Sequence, residues 1–201
     1  MRKFLLALPL LAAVPVLAQM PPLPGAPVAA RVKAGTYAVE PSHTIIEWQV
    51  NHFGFNDYFG MFGETSGTLA LNPAKLASTQ VSIEIPIKGL VTASSKLNEH
   101  LNSSEFFDSE KMPTAKFVST MVMAKGNTAM IHGNLTLHGV TKPIILNAKF
   151  VGAGLNPFSK KETIGFHATG SIMRSQFGMG GFVPLVADKV DLKITAAFEK
   201  Q

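Results

Sequence analysis

The sequence predicts an all-β domain, an eight-stranded antiparallel β-barrel. Most segments after residue 36 alternate apolar and polar side chains with a period of two, as half-buried strands do. About eight such segments are present, and several of them are nine to twelve residues long. That length suits the tilted strands of a barrel better than the shorter strands of a two-sheet sandwich, which is the alternative arrangement for one-sided antiparallel strands.

The chain begins with a segment that differs from this pattern. Residues 1–18 carry Arg2 and Lys3, then an apolar run, and end in a small–x–small sequence typical of a signal-peptidase site. This predicts a cleaved signal peptide and a periplasmic protein. Residues 19–35 are rich in proline and alanine and predict a tether, so the folded domain is expected over residues 36–201.

Composition limits the function of this domain. The chain has 201 residues, a net charge of +5 and no cysteine, so an exported domain would depend on its core rather than on disulfides. Without the two basic residues of the signal the net charge is +3, and no basic cluster is interleaved with aromatic residues. We therefore expect no nucleic-acid partner.

The predicted strands show which side chains face inward. In the segment after residue 44, Ile46, Trp48 and Val50 share one face, and His52 follows them on that face at the strand end. The strands are expected near residues 44–53, 60–71, 79–87, 116–125, 128–137, 143–151, 163–174 and 188–199, and 36–40 would add a ninth.

One segment breaks the alternation. Between residues 94 and 111, Leu97 and Leu101 are four positions apart, and a preceding serine can cap a helix. A second short turn presents Phe106 and Phe107. This pattern predicts a helical insertion that lies over one end of the barrel.

Small and polar residues also occupy inward positions. Gly133 and Gly170 would leave room for a slender ligand, although glycines that relieve strain in a filled core are the alternative. Arg174, like His52, ends a strand on the apolar face and precedes a glycine-containing turn. These two side chains would orient a polar head group at the barrel rim. The alternatives are a salt bridge from Arg174 to Asp188 and a core histidine bonded to backbone.

Signatures of catalysis are weak. The GETSG sequence at 63–67 has threonine where a nucleophile elbow needs serine, and GAGLNP at 152–157 lacks the third glycine of a dinucleotide loop. The six histidines form no H-x-x-x-H pair. We expect no enzyme, no metal site and no cofactor.

Several motifs together resemble the YceI-like family of exported, lipocalin-like proteins over the span from Tyr37 to Phe198. They include YAVEPSHTIIEWQVNHFGF and GNLTLHGVTKPI. The matching motifs lie at residues 37–55, 60–71, 98–119, 133–144 and 165–179.

The resemblance implies a lipocalin-like barrel that binds a long-chain amphipathic lipid, a polyisoprenoid or an isoprenoid quinone, in an elongated apolar tunnel. Six residues occupy positions of the family motifs: His43, His52, His100, Phe106, Phe107 and Arg174. Seven more are expected to line the tunnel: Trp48, Val50, Ile83, Ile85, Leu135, Phe166 and Ile194. Leu97 and Asn98 replace an Arg-Asp pair that is common in the family, and Glu40 replaces an aspartate, which points to a different head-group preference.

Three other functions compete with lipid carriage. A partner protein of a membrane quinone or cytochrome system would show an exposed apolar rim around Phe53 and Phe55. An enzyme acting on a lipid phosphate would need Arg174 with a histidine base. A purely structural barrel would have a filled core.

Overall fold

The computed structural model describes residues 22–201; the predicted signal peptide, residues 1–18, lies outside this range. Within it the chain forms eleven strands and one α-helix, α1 (Ser95–Asn102). The strands are β1 (Gly35–Val39), β2 (Ile45–His52), β3 (Asn56–Phe62), β4 (Ser66–Leu71), β5 (Gln80–Pro86), β6 (Leu90–Val91), β7 (Thr114–Lys125), β8 (Thr128–Leu137), β9 (Val140–Leu155), β10 (Glu162–Met173) and β11 (Lys189–Lys200). The predicted helix within 94–111 is thus confirmed, with the Ser94 side chain accepting the Leu97 N–H as its N-cap.

Eight of these strands form a closed ring. Its order is β1-β4-β5-β7-β8-β9-β10-β11, and β11 returns to pair with β1. Every neighbouring pair is antiparallel, and the closing pair places Tyr37 opposite Lys200. The predicted eight-stranded antiparallel barrel is confirmed.

The other three strands lengthen one side of the barrel. β11 pairs with β2 along residues 191–195, and β2, β3 and β6 then follow in order. The pairs β1 and β2, β3 and β4, and β5 and β6 are successive parts of three long barrel strands. Short irregular segments at residues 40–44, 63–65 and 87–89 separate the two parts of each. In the first interruption the Glu40 carboxylate accepts the backbone N–H groups of Ser42 and His43, so a short polar turn joins β1 to β2.

Glycines on the inner wall let neighbouring side chains lie flat. A Cβ on Gly60 would overlap the Trp48 ring, and one on Gly133 would overlap the Phe117 ring. Gly170 accommodates Leu146 in the same way. The space predicted at Gly133 and Gly170 is therefore taken by side chains of adjacent strands.

A β-bulge in β7 changes which residues face outward. The pairing of β7 with β8 shifts by one residue between Ser119 and Met121. Before the bulge Phe117 is buried, and after it Val122 is buried, so odd-numbered positions face inward before it and outward after it. Met121 and Met123 consequently point away from the core.

Residues 22–34, predicted as part of a tether, lie against one end of the barrel. Ala26 and Ala153 exchange backbone hydrogen bonds of 3.2 and 2.9 Å, which pairs Ala26 with the end of β9 that extends beyond β8. Pro24 passes so close to Gly154 that a Cβ there would overlap its carbonyl oxygen. We call this end of the barrel the covered end.

The opposite end is formed by three longer connections. These are the turn at 53–55, the insertion at 92–113 that contains α1, and the loop at 174–188 between β10 and β11. We call this end the mouth.

Candidate ligand cavity

A continuous cavity of about 960 Å³ occupies the barrel interior and reaches both ends. Pro27 and Val32 line it at the covered end, and His52 and Phe106 line it at the mouth. Its volume falls within the range of pockets that enclose small molecules, roughly 300–1,000 Å³. The barrel is therefore not filled by its own side chains, and the alternative of a filled core is wrong.

Almost all of the predicted ligand-binding residues contribute to this cavity. They are Trp48, Val50, His52, Ile83, Ile85, His100, Phe106, Phe107, Leu135, Phe166, Arg174 and Ile194. Strand alternation places the members on strands inside the barrel, with His52 at the end of β2. The insertion contributes His100, Phe106 and Phe107, and the mouth loop begins with Arg174. Their contact with a ligand stays a prediction.

His43 is the exception, because it does not line the cavity. It lies in the turn between β1 and β2 with its side chain 82% exposed, and its Nδ1 is 2.6 Å from Oε2 of Glu40. Burial would raise the pKa of Glu40, but the hydrogen bonds from His43 and Ser42 outweigh it and hold that pKa below its ordinary value. His43 thus stabilises a turn on the outer surface.

Arg174 is buried, with 7% of its surface exposed, and its guanidinium bonds backbone carbonyls of the mouth loop. Nε donates to Ala187 O at 2.9 Å, and Nη2 donates to Val186 O at 2.8 Å. Nη1 donates to the carbonyls of Met179 and Gly181. Four of its five N–H groups are thus used within the protein. Burial lowers the pKa of Arg174, and the nearby Asp188 opposes part of that shift.

The predicted alternative of an Arg174–Asp188 salt bridge is not formed: within residues 22–201, no ion pair joins these two side chains. Asp188 instead accepts the backbone N–H of Ser175 at 2.8 Å and its hydroxyl at 2.6 Å. The Ser175 hydroxyl bond is the largest influence on the pKa of Asp188, which lies below its ordinary value of 3.8. Arg174 and Asp188 therefore hold the same loop by separate contacts.

His52 lies at the rim rather than in the interior. It is exposed, and its ring meets Phe53 edge-on with ring centroids 4.3 Å apart. Across the mouth, Phe106 stacks on Phe182 at 6.3 Å, and His100 meets Phe106 edge-on at 4.9 Å. Aromatic and imidazole rings thus surround the opening.

Within residues 22–201, three residues that line the cavity carry a buried polar atom without a hydrogen-bond partner. These atoms are the Trp48 indole Nε1 and the hydroxyl oxygens of Thr65 and Thr79. Each of these atoms is covered by protein, and leaving a buried donor unpaired costs about 1–3 kcal/mol. Sequence reasoning identified Trp48 as a lining residue but missed Thr65, which lies in the irregular connection between β3 and β4 where no alternation marks it.

Sequence reasoning also missed the lining residues that come from loops. Phe182 and Val186 enter from the mouth loop, and Pro27 and Ala29 enter from the N-terminal segment. Neither segment alternates, so no periodic signal could have identified these residues.

A match to the YceI-like domain covers residues 37–198. The chain belongs to the YceI-like family. A UPF0312 protein of Pseudomonas syringae pv. tomato is 35% identical over 170 residues, which cover 83% of this chain and 88% of that protein. A Vibrio cholerae UPF0312 protein is 34% identical over 154 residues, covering 76% and 81% of the two chains.

Three solved structures share the fold of this YceI-like chain. Burkholderia cenocepacia BcnA superposes with a TM-score of 0.69 at 23% identity, covering 77% of this chain and 95% of that one. A Campylobacter jejuni YceI protein gives 0.66 at 25% identity, with 75% and 90% covered. A polyisoprenoid-binding domain from Saccharophagus degradans gives 0.63 at 13% identity, with 82% and 98% covered.

Residues 22–201 include no helix with the length and apolar character needed to span a membrane. None of their His, Cys, Asp and Glu side chains form a group of three or more that could hold a metal ion.

Proposed function

We propose that this protein is a periplasmic carrier that holds a long-chain amphipathic lipid, a polyisoprenoid or an isoprenoid quinone, in the barrel. The observation that carries the proposal is the continuous apolar cavity of about 960 Å³. The polyisoprenoid-binding domain of Saccharophagus degradans, which shares the fold, supports the class of ligand. The predicted signal peptide supports the location.

Affinity would come mainly from the tail. Moving apolar surface from water into the cavity contributes about 25 cal/mol per Å², or roughly 0.8 kcal/mol for each buried CH₂ group. The tail would run along Ile83, Leu135 and Phe166 toward the covered end. A lipid with a longer apolar chain therefore binds more tightly until the cavity is full.

The head group would lie at the mouth. His52 and His100 are exposed at the rim, where their imidazole rings can meet it. Arg174 takes a positioning role in this proposal, because its guanidinium already bonds four carbonyls of the mouth loop.

Native mass spectrometry of the mature protein, purified from its own periplasm without detergent, tests this function. A retained species that releases an isoprenoid on organic extraction would support it. A protein that stays at its bare mass after incubation with quinones and prenyl lipids would contradict it.

A pair of variants tests the location of the tail. Ala168 faces the cavity on β10, and Thr169, its exposed neighbour, faces outward. Ala168→Phe should abolish lipid binding or restrict it to lipids with shorter tails. The matched variant Thr169→Phe should leave lipid binding unchanged. Equal binding by both variants would place the lipid elsewhere.

A second function, partner of a membrane quinone or cytochrome system, is favoured by the apolar rim. Phe55 is 90% exposed, Phe182 58% and Leu185 59%, all at the mouth. The test is photo-cross-linking in cells from p-benzoylphenylalanine placed at Phe55. A cross-link to a membrane redox protein would support the partner function, and cross-links to lipid alone would support a free carrier.

A further inference from the structure

Three methionines and a histidine meet on the outer wall of the barrel, on the face opposite the cavity. Met121 lies directly across from His132 in the pairing of β7 with β8, and Met123 lies directly across from Met130. The four residues therefore form the corners of a rectangle on two adjacent strands. The β-bulge at Ser119–Met121 is what turns Met121 and Met123 to this face.

The spacing of these corners suits one small ion. Cβ atoms of residues directly opposite each other are roughly 4.5–5.5 Å apart. Residues two positions apart on a strand are separated by roughly 6.5–7 Å. Methionine side chains are long and flexible enough to bring three sulfur atoms to a common point above such a rectangle.

The three methionine side chains are exposed and available for binding. Met121 is 48% exposed, Met123 47% and Met130 39%. His132 is half-buried, and its Nε2 atom is covered without any hydrogen-bond partner. Binding therefore requires the His132 ring to turn so that this unpaired nitrogen reaches the surface beside the three exposed thioethers.

We propose that Met121, Met123, Met130 and His132 form a binding site for Cu(I) on the outer wall of the barrel. Thioether sulfur is a soft ligand and selects Cu(I) over hard cations, and imidazole nitrogen also suits copper. Carboxylate ligands, which Ca²⁺ and Mg²⁺ require, are not supplied by the flanking positions, since the next residues across on β9 are Ile145 and Asn147.

The site is separate from the proposed lipid function. None of the four side chains lines the cavity, so its occupancy and that of the barrel can be measured independently. The site binds the ion as supplied, and no electron transfer is part of the proposal.

Anaerobic competition tests the site. The mature protein is titrated with Cu(I), kept reduced by ascorbate, against a colorimetric Cu(I) chelator, and the complex is weighed by native mass spectrometry. We expect one Cu(I) per chain and no comparable binding of Zn²⁺. Failure of the wild-type protein to withdraw copper from the chelator would overturn the proposal.

Variants identify the ligands. The double variant Met121→Leu, Met123→Leu should lose the bound ion, and His132→Gln should weaken binding. The matched control is Met173→Leu, a methionine on β10 that is 39% exposed and lies outside the rectangle. Leucine nearly matches methionine in volume, so a thermal melt can verify that each variant is folded. Equal copper binding by the double variant and the control would contradict the assignment.

A second readout does not depend on copper chemistry. With ¹³C-methyl-labelled methionine and redox-inert Ag(I), the methyl resonances of Met121, Met123 and Met130 should shift together at one equivalent. The resonance of Met179, which is buried in the mouth loop, should not move. Shifts spread over all methionines would indicate adventitious binding and overturn the site.

Discussion

The two ends of the barrel are held by different contacts, although both border the same cavity. At the covered end, the N-terminal segment pairs its backbone with β9 at Ala26 and Ala153, and Lys33 forms an ion pair with Glu162. At the mouth, one side chain, Arg174, binds four carbonyls of a loop that carries the exposed Phe182. Both ends thus have one short strand-like pairing, Ala26 with Ala153 at the covered end and Val186 with His52 at the mouth, and only the mouth adds a buried guanidinium.

This difference indicates which end opens. A ligand that enters the covered end must first break strand-like pairing with β9. At the mouth, the side chains of Phe106 and Phe182 can separate while the backbone bonds of the loop to β2 stay intact, and their stacking is worth about 0.5–1.5 kcal/mol beyond the area it buries. We therefore expect lipid exchange through the mouth.

The largest effect is expected at Arg174. Arg174→Met leaves the carbonyls of residues 179–187 without their donor, which should destabilise the protein by about 3–5 kcal/mol. Chemical denaturation measures the loss, and amide hydrogen exchange should show it concentrated in the mouth loop. Lys193→Met, on an exposed position of β11, is the control and should stay near wild type. Uniform exchange across the barrel in the Arg174 variant would show that Arg174 does not act on the loop.

The next effect concerns the covered end. Gly154→Val should expel the segment around Pro24, at a cost of about 1–3 kcal/mol for the overlap. The readout is trypsin cleavage after Arg31 and Lys33, which becomes fast once the segment detaches. Gly25→Val is the matched control, because a Cβ at Gly25 meets no atom within 4 Å. Unchanged cleavage in the Gly154 variant would mean that the segment is held by other contacts.

A smaller effect is expected from the aromatic pair at the mouth. A double-mutant cycle of Phe106→Ala and Phe182→Ala should give a coupling energy of about 0.5–1.5 kcal/mol. Both variants should also speed the uptake of an apolar fluorescent dye. Phe158→Ala, on a side chain that is 93% exposed at the other end, should change neither quantity. A coupling energy of zero would show that the stacked pair is not a barrier to ligand entry through the mouth.

The smallest effect is a pH dependence. Because its folded pKa lies below 3.8, ionised Asp188 stabilises the folded mouth loop at pH values above that number. The stabilisation is lost as the pH falls below 3.8 and through the lowered pKa. Stability measured across this acid range should show a contribution that is absent in Asp188→Asn. Parallel curves for the two proteins would contradict the role of Asp188.

The strands and the helix could be predicted from the sequence, whereas the contacts at the two ends of the barrel could not. Alternation predicted the inward side of β2 correctly, since Trp48 and Val50 line the cavity. Spacing predicted α1 because Leu97 and Leu101 face one side. Both signals come from residues that are close together in the chain, and their side chains keep the predicted orientation in the folded barrel.

The two ends involve contacts that local patterns do not record. A proline- and alanine-rich stretch predicts a tether, because its composition does not show that Gly152 and Gly154 leave room for its backbone on β9. The inward position of Arg174 predicted a ligand or a salt bridge, because a buried guanidinium needs a hydrogen-bonding or charged partner. The partners are carbonyls of its own loop, which no residue identity reveals.

His43 shows a related difference. Its place in a family motif suggested the ligand site, but the interruption between β1 and β2 places it on the outer surface beside Glu40. A match to a family motif shows that a residue occupies a family position in the fold. It does not show whether the side chain contacts a turn, as His43 does, or lines the cavity.

The closing strand has a consequence for how the chain folds. β11 ends at residue 200 and pairs both with β1 near residue 37 and with β2 near residue 48. These contacts join the two termini of the domain, so their formation carries a large loop-closure entropy and should come late in folding. Until residues 189–200 are available, β10 and β1 both expose an unpaired edge, which is a template for association with other chains. Truncation of this last strand should therefore produce aggregation rather than a smaller barrel.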